Sequence, residues 1–206
     1  MARKARIYGP RGCTYSVHSR TNDSEVLRFQ RKDVALLFFQ VVAEAKERFK
    51  FALNMQVLMG AHYHLKFVPR NNDLSKIMHW INSVFAMRYN KLTGHTGRLW
   101  RERFKSCVLN DYSYYINTAV YLALNPARAG IASAEEYPFS SLIFLYKNKH
   151  PLQEFEAYRH IFDEPYDGYF KTVKELVRLK TLDERLIDKI SMAPRPIGRP
   201  RKQTLR

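Results

Sequence analysis

The sequence predicts an α+β fold in which an antiparallel sheet has its helices packed on one face. Short segments alternate between apolar and polar residues, as half-buried strands do, and longer segments repeat apolar residues at the spacing of a helix. These segments follow one another in the order strand, helix, strand, strand, helix, strand. That order is typical of a ferredoxin-like domain, and a hydrophobic content of 46 % over 206 residues is enough for its core.

The first third of the chain contains two predicted strands with a helix between them. The first strand covers residues 13–20, the helix residues 33–49 and the second strand residues 51–59. One face of the first strand carries Cys13, Tyr15 and Val17, and the other carries Thr14, Ser16, His18 and Arg20. Gly60 and Ala61 form a tight link to the next strand, so the second and third strands are expected to be antiparallel neighbours.

The third strand contains two histidines separated by one bulky residue. In a strand, one face carries His62, His64 and Lys66, and the other carries Tyr63, Leu65 and Phe67. Two imidazoles side by side above a core form half of a metal site. Lys66 is either a helper in proton transfer at this site, a phosphate contact or a solvated lysine.

A second helix and a basic strand follow. Asp73 is a candidate N-cap for the helix, which runs to about residue 92. Its apolar stripe contains Leu74, Ile77, Met78, Ile81, Val84 and Phe85. The basic strand is predicted over residues 99–109. Phe104 is expected in the core, whereas Trp100 lies either in the core or against nucleic-acid bases.

The third helix contains two stripes of side chains. Asn110 or Asp111 caps this helix, and Pro126 is expected to end it. One stripe contains Tyr114, Thr118, Tyr121 and Asn125, and the other contains Tyr112, Tyr115, Ala119 and Leu122. The first stripe is a candidate to face a metal and a substrate, and the second to pack on the sheet. Aromatic residues at helical spacing are also common in cores, so spacing alone leaves the role of Tyr121 open.

The charge balance restricts the partners of the protein. Lys and Arg number 35 against 19 Asp and Glu, which leaves a net charge of +16. Such an excess favours a polyanion, most commonly a nucleic acid. The sequence contains no long apolar run and no clear lipid anchor, so we expect no membrane partner. Cys13 and Cys107 are far apart and form no CxxC pair, which favours reduced cysteines in a cytoplasmic protein.

The C-terminal part of the chain is more polar. We expect a main domain over residues 1–146, a helical extension over residues 147–193 and a basic, disordered tail over residues 194–206. The extension contains two predicted helices, at residues 169–180 and 182–192. They form either a small DNA-binding unit or a packing appendage. The tail resembles an AT-hook, with Arg199 and Arg201 on either side of a proline.

Four segments resemble the REP-associated tyrosine transposases, a branch of the HUH single-strand endonucleases related to small insertion-sequence transposases. The segments are residues 57–65, 97–105, 121–130 and 136–141, and the match runs in the same order from about Ala5 to Tyr146, roughly two thirds of the chain. The first contains His62-Tyr63-His64, the His-hydrophobic-His motif. One departure is Ala61, where the family more often has Asn; it removes a turn-forming side chain but no ligand.

The resemblance implies a mechanism and a set of site residues. It implies that Tyr121, four residues before the Asn-Pro pair, is the nucleophile, and that Asn125 joins His62 and His64 as a metal ligand. The bound ion would be Mg²⁺ or Mn²⁺, although imidazoles also accept Zn²⁺. The activity implied is nicking and joining of single-stranded or hairpin DNA through a 5′-phosphotyrosine, in DNA transposition or repeat mobilisation.

The expected DNA contacts are basic side chains of the second and third segments and of the tail. They are Arg98, Arg101, Arg103, Lys105, Arg128, Arg199 and Arg201. Two other functions share these features: a catalytically silent DNA-binding regulator derived from a transposase, and a rolling-circle replication initiator or relaxase. We expect a nucleoid-associated protein, either a monomer or a homodimer.

Overall fold

An antiparallel sheet of four strands forms the centre of the part of the chain that the structure describes. The structure is a computed structural model that describes residues 9–22, 28–71, 73–165 and 167–181. The strands are β1 (Thr14–Arg20), β2 (Ala52–Leu58), β3 (His62–Val68) and β4 (Lys105–Leu109). Their order is β2-β3-β1-β4, so β3 is an interior strand between β2 and β1. The α+β class and the antiparallel pairing of β2 with β3 are confirmed.

Two long helices cover the apolar face of this sheet. These two helices are α1 (Lys32–Phe49) and α2 (Leu74–Thr93). The other α-helices in the described residues are α3 (Tyr112–Arg128), α4 (Ile143–Tyr146) and α5 (Tyr169–Thr181). The ring of Phe38 in α1 lies 4.5 Å from that of Tyr63 in β3 and 5.1 Å from that of Phe85 in α2, centre to centre. Tyr15, Val17 and Tyr63 are fully buried, because this face of the sheet forms the core with α1 and α2.

The third helix lies on the opposite face. The Nζ of Lys66 is 3.2 Å from the carbonyl oxygen of Tyr115, and Lys66 shares a face of β3 with the two histidines. The prediction that the helices pack on one face therefore holds for α1 and α2 but not for α3. A helix on the second face is possible because α3 also has apolar residues to bury: Ala119 and Leu122 have at most 1 % exposure.

The direction of α3 follows from the contacts at its two ends. It starts after Leu109, which pairs with Thr14 at the Phe67 end of the sheet. The segment after α3 reaches the other end, where the Tyr137 hydroxyl donates to the carbonyl of Leu58 at 2.7 Å. Leu58 pairs with Tyr63, next to His62. The helix therefore runs across the sheet from the Lys66 end to the His62 end.

The basic strand is shorter than predicted. Residues 101–103 form a bend, and β4 begins only at Lys105. A continuous strand would place Trp100, Glu102 and Phe104 on one face, so a carboxylate would enter the core. The bend instead leaves Glu102 exposed and paired with Lys105 at 2.6 Å, while Phe104 is buried as expected.

Two details of the helices differ from the sequence prediction. Pro126 lies inside α3, which continues to Arg128. A proline removes one donor, and the hydrogen bond from Ala129 N to Asn125 O at 3.0 Å shows that the helix continues beyond it. Asp73 makes no side-chain hydrogen bond at the start of α2, whereas Asp111 caps α3 by accepting from Tyr114 N at 2.9 Å.

Residues after α3 pack onto the main core. A 3₁₀ helix at Gln153–Ile161, which the sequence analysis missed, places the ring of Phe155 5.0 Å from that of Phe39 in α1. The helix predicted at residues 169–180 is confirmed as α5. The second predicted helix, at residues 182–192, and the basic tail lie outside the described residues. In the described ranges, none of the helices is long and apolar enough to cross a membrane.

Candidate active site

The two histidines of β3 form a pair on the sheet face that α3 crosses. The ring centres of His62 and His64 are 5.1 Å apart, and their planes are nearly perpendicular. Between them Tyr63 points into the opposite face, where its hydroxyl donates to Asn82 Oδ1 at 2.6 Å. The alternation predicted for this strand is confirmed. The fully buried Tyr63 anchors β3 to α2 on the opposite face of the sheet.

Both imidazoles are held in the neutral form. Burial lowers the pKa of His62 to about 4, with a further contribution from the positive charge of Arg20. Burial also lowers the pKa of His64 well below its usual value, and the neighbouring His62 adds to this effect. Among the described residues, neither side chain makes a hydrogen bond. A neutral imidazole with a free ring nitrogen is the form that binds a metal ion.

Strand β1 adds two further side chains that the sequence analysis did not select. His18 pairs across the strands with His64, and their ring centres are 5.6 Å apart. Arg20 pairs with His62. Both are exposed and lie on the imidazole face. The polar alternation of residues 14–20 was visible in the sequence, but only the register of β1 against β3 shows which histidine each residue faces.

The described residues place no third histidine or acidic side chain where it could bind one metal ion together with this pair. Within the described residues, no three His, Cys, Asp or Glu side chains are placed to hold a metal ion, so His18 does not complete the site. Asn125 offers an amide instead. It is half-buried, and its Nδ2 is buried without a hydrogen-bond partner in the described part of the chain. Rotation of the amide by 180° exchanges its oxygen and nitrogen, and either end then needs a partner.

The predicted nucleophile lies one turn earlier on the same helix face. Tyr121 is half-buried, and the guanidinium carbon of Arg128 lies 5.2 Å from the centre of its ring. Both Tyr121 and Asn125 belong to the half of α3 that leads toward the His62 end of the sheet. No hydrogen bond or ring contact among the described residues joins either of them to the imidazoles.

The neighbouring tyrosines have other surroundings. The hydroxyl of Tyr114 donates to the Sγ of Cys107 at 3.3 Å, which fixes the start of α3 against β4. Tyr112 was predicted to pack on the sheet, but 65 % of its surface is exposed. It stands at the first position of α3, where the chain has just left β4.

Lys66 is neither solvated nor a phosphate contact. The residue is fully buried, and its Nζ donates to the Tyr169 hydroxyl at 2.7 Å as well as to the carbonyl of Tyr115. Burial lowers the pKa of Lys66 to about 6. Its amine therefore faces α3 and α5 rather than DNA.

A basic surface adjoins the imidazole pair on the β1 and β4 side. Arg98, Arg101, Arg103 and Lys105 are exposed, as a role in DNA binding requires. Arg101 N donates to the carbonyl of Arg20 at 3.0 Å, which places the segment before β4 beside the end of β1. Trp100 belongs to the core, since its indole N–H donates to the carbonyl of Asn82 at 2.8 Å. Arg199 and Arg201 lie outside the described residues.

The sheet order, the histidine pair on its interior strand and the tyrosine helix across that face together define the fold of an HUH-type transposase. The family model described as "Transposase IS200 like" matches residues 13–122, which is more than half of the chain. The chain therefore belongs to the IS200-like transposase family.

The solved structures that are similar to this chain include two transposases. One is a REP-associated tyrosine transposase bound to a REP hairpin, with a TM-score of 0.60 and 19 % identity over 68 % of this chain and 82 % of that one. The other is a candidate transposase from Deinococcus radiodurans R1, with a TM-score of 0.42 and 12 % identity over 64 % of this chain and 99 % of that one. No curated protein matches the sequence. The first similarity confirms the fold.

Proposed function

We propose that this protein is a metal-dependent endonuclease and strand-transferase that acts on single-stranded DNA through a 5′-phosphotyrosine. The observation that carries this proposal is the neutral pair His62 and His64, which lies on the sheet face crossed by the helix of Tyr121 and Asn125. Membership of the IS200-like transposase family supports the same reaction class.

The proposed metal ligands are His62, His64 and Asn125. The two imidazoles are neutral and make no hydrogen bond in the described residues. One end of the Asn125 amide is buried there without a partner, and turning the amide by 180° places its oxygen at that end, so all three side chains fit a ligand role. Two imidazoles and an amide suit Mn²⁺ or Mg²⁺. The ion would polarise the scissile phosphate and offset its negative charge.

Tyr121 is the proposed nucleophile. Its oxygen forms a bond to phosphorus while the bond from phosphorus to the 3′ oxygen breaks, and the 3′ oxygen leaves as a hydroxyl with the proton that the tyrosine gives up. The phosphotyrosine keeps the energy of the broken bond. A different 3′-hydroxyl then attacks the same phosphorus, releases Tyr121 and joins two strands. Arg128, which packs on the Tyr121 ring, restricts the orientation of the nucleophile.

The proposed substrate is a DNA hairpin or a repeat with a single-stranded flank. The net charge of +16 and the exposed residues Arg20, Arg101 and Arg103 beside the site supply the attraction to phosphates. The structural relative bound to a REP hairpin supports this ligand class for the present protein. We place the activity in the cytoplasm at the nucleoid.

The deciding experiment is a test for a covalent adduct. A hairpin oligonucleotide labelled at its 3′ end is incubated with the protein and Mn²⁺, and the label is followed on a denaturing gel. We expect the wild type to form an adduct, and Tyr121→Phe to form none while it binds the oligonucleotide with unchanged Kd. Tyr158→Phe, at a tyrosine whose ring packs on Phe39 of α1, is the matched control and retains the adduct.

Each other outcome has a defined meaning. Adduct formation by Tyr121→Phe would assign the nucleophile to another tyrosine. Tight binding by the wild type without any adduct would contradict the proposal and favour the silent DNA-binding regulator. A hydroxylamine-resistant, phosphatase-insensitive shift of the tryptic peptide that contains Tyr121 would identify the bond as a phosphotyrosine ester.

A further inference from the structure

Lys66 connects the strand of the histidine pair to two helices. It is fully buried on β3, two residues after His64. Its Nζ donates to the carbonyl of Tyr115 in α3 at 3.2 Å and to the hydroxyl of Tyr169 in α5 at 2.7 Å. The same nitrogen lies 3.1 Å from the centre of the Tyr115 ring and 4.6 Å from that of Tyr169. We call these three residues the Lys66 clasp.

A lysine in this position requires its partners. An amine removed from water is destabilising unless hydrogen bonds or aromatic faces replace its hydration. In the described part of the chain, the hydrogen-bond and aromatic partners of Nζ belong to α3 and α5, so the two helices must keep their positions for the amine to stay satisfied. A methionine or leucine would fill similar space without any such requirement.

The other contacts of α3 are less directional. Ala119 and Leu122 are buried against the sheet, but apolar contacts of this kind allow a helix to slide or turn by a small amount. Hydrogen bonds depend on both distance and angle. The clasp on β3 and the bond from Tyr114 to Cys107 on β4 therefore determine where the first turn of α3 lies.

The nucleophile is close to this anchor. Tyr121 follows Tyr115 by six residues, which is about 9 Å along a helix. Lys66 follows His64 by two residues, which is roughly 7 Å along a strand. A small rotation or shift of α3 at the clasp would change the distance between Tyr121 and the histidine pair.

We propose that the Lys66 clasp is a positioning device that holds Tyr121 in place relative to His62 and His64. Through Tyr169 it makes α5 a structural part of the active site. The inference rests on the proposed function, because the positioned group is the proposed nucleophile.

The test compares Lys66→Met with Lys46→Met. Lys46 is a matched control, because its Nζ also joins two elements by donating to the Ile161 carbonyl at 2.5 Å and to the Asp163 carboxylate at 2.6 Å, on the α1 side of the fold. Each variant is compared with the wild type in hydrogen exchange of the metal-free protein and in the rate of adduct formation at saturating hairpin DNA and Mn²⁺.

We expect Lys66→Met to accelerate exchange throughout α3 and to lower the saturated rate by roughly 10- to 100-fold, with unchanged Kd for DNA. Lys46→Met should accelerate exchange near residues 161–163 and keep the wild-type rate. Tyr169→Phe, which retains the ring and removes one hydrogen bond, should lower the rate by a smaller factor.

The inference is overturned if Lys66→Met reacts at the rate of Lys46→Met. If Lys66→Met does not fold, Tyr169→Phe decides, and an unchanged saturated rate in that variant overturns the inference. Failure of the wild type to form any adduct contradicts the proposed function instead. The exchange of α3 in the metal-free protein then still shows whether the clasp holds the helix.

Discussion

Arg20 lies directly opposite His62 in the antiparallel pairing of β1 with β3. Its side chain is exposed on the imidazole face. Burial is the main cause of the low pKa of His62, and the positive charge of Arg20 is the second cause. A guanidinium beside the neutral imidazole pair proposed to bind the metal is well placed to contact a phosphate that enters the site. Arginine suits this role because it remains charged and donates several hydrogen bonds.

We therefore predict that Arg20→Gln weakens DNA binding. Each lost phosphate contact on a single strand should reduce the slope of log K against log salt by about 0.7. Fluorescence anisotropy with a hairpin oligonucleotide over a range of salt concentrations measures this slope. Arg48→Gln, an exposed change on α1, should leave it unaltered. Equal slopes for all three proteins would remove Arg20 from the DNA-binding surface.

The second prediction concerns the metal. His64→Ala should abolish adduct formation and weaken Mn²⁺ binding, because it removes one of the two neutral imidazoles. A chelator should have the same effect on the wild type, with activity restored by added Mn²⁺. Calorimetric titration with Mn²⁺ provides a readout that is independent of activity. His79→Ala, on the exposed side of α2, is the control. Full activity in chelator would contradict a metal-dependent reaction.

The third prediction concerns the start of α3. Asp111 accepts a hydrogen bond from Tyr114 N at 2.9 Å, so Asp111→Ala should lower the free energy of unfolding by about 1 kcal/mol. Asp111→Asn retains an acceptor and should be close to the wild type. Urea denaturation measures the difference. If the alanine variant were as stable as the asparagine variant, the cap would contribute nothing to the stability of α3.

The fourth prediction is a pH dependence of stability. Burial lowers the pKa of His150, whose Nδ1 accepts from Leu152 N at 3.0 Å and whose Nε2 lies 2.9 Å from the Pro138 carbonyl. Its folded pKa is below its unfolded value, so the unfolded chain binds more protons as the pH falls. Its contribution to stability is present above the unfolded pKa of 6.5 and is lost below it.

The unfolding free energy should therefore decrease from about pH 7 to about pH 5. His150→Gln should make this slope shallower by up to about 1.4 kcal/mol per pH unit, the value for one proton. His160→Gln, at an exposed position nearby, should keep the wild-type slope. Urea denaturation at several pH values tests this, and identical slopes for the wild type and His150→Gln would contradict it.

Much of the fold could be predicted because its elements have clear periods. Apolar residues of β1 and β3 alternate, and those of α1 and α2 recur at helical spacing, so local patterns indicated both their type and their buried face. The basic strand was predicted too long because the alternation of aromatic and basic residues continues on both sides of Glu102, so this residue was included in the strand. The exposure of that carboxylate depends on a bend that no local pattern reveals.

The candidate site could be predicted only in part, because it combines residues from distant segments. The histidine pair follows from the alternation within one strand. The position of Arg20 opposite His62 depends on strand register. The partners of Lys66 lie on α3 and α5, which are about 50 and 100 residues further along the chain. These helices cover a face of the sheet that was expected to be open.

The alternation of β3 also limits how this gene product can change in length. Tyr63, Leu65 and Phe67 are fully buried on one side, while His62 and His64 lie on the other. Inserting or deleting one residue after His62 would exchange the two sides for every position that follows. The core aromatics would then point toward the face that α3 and α5 cover, and an imidazole would be buried in the core. Variants with length changes inside this strand should thus lose both folding and activity. Length changes in the connecting loops leave the two faces of the strand unchanged.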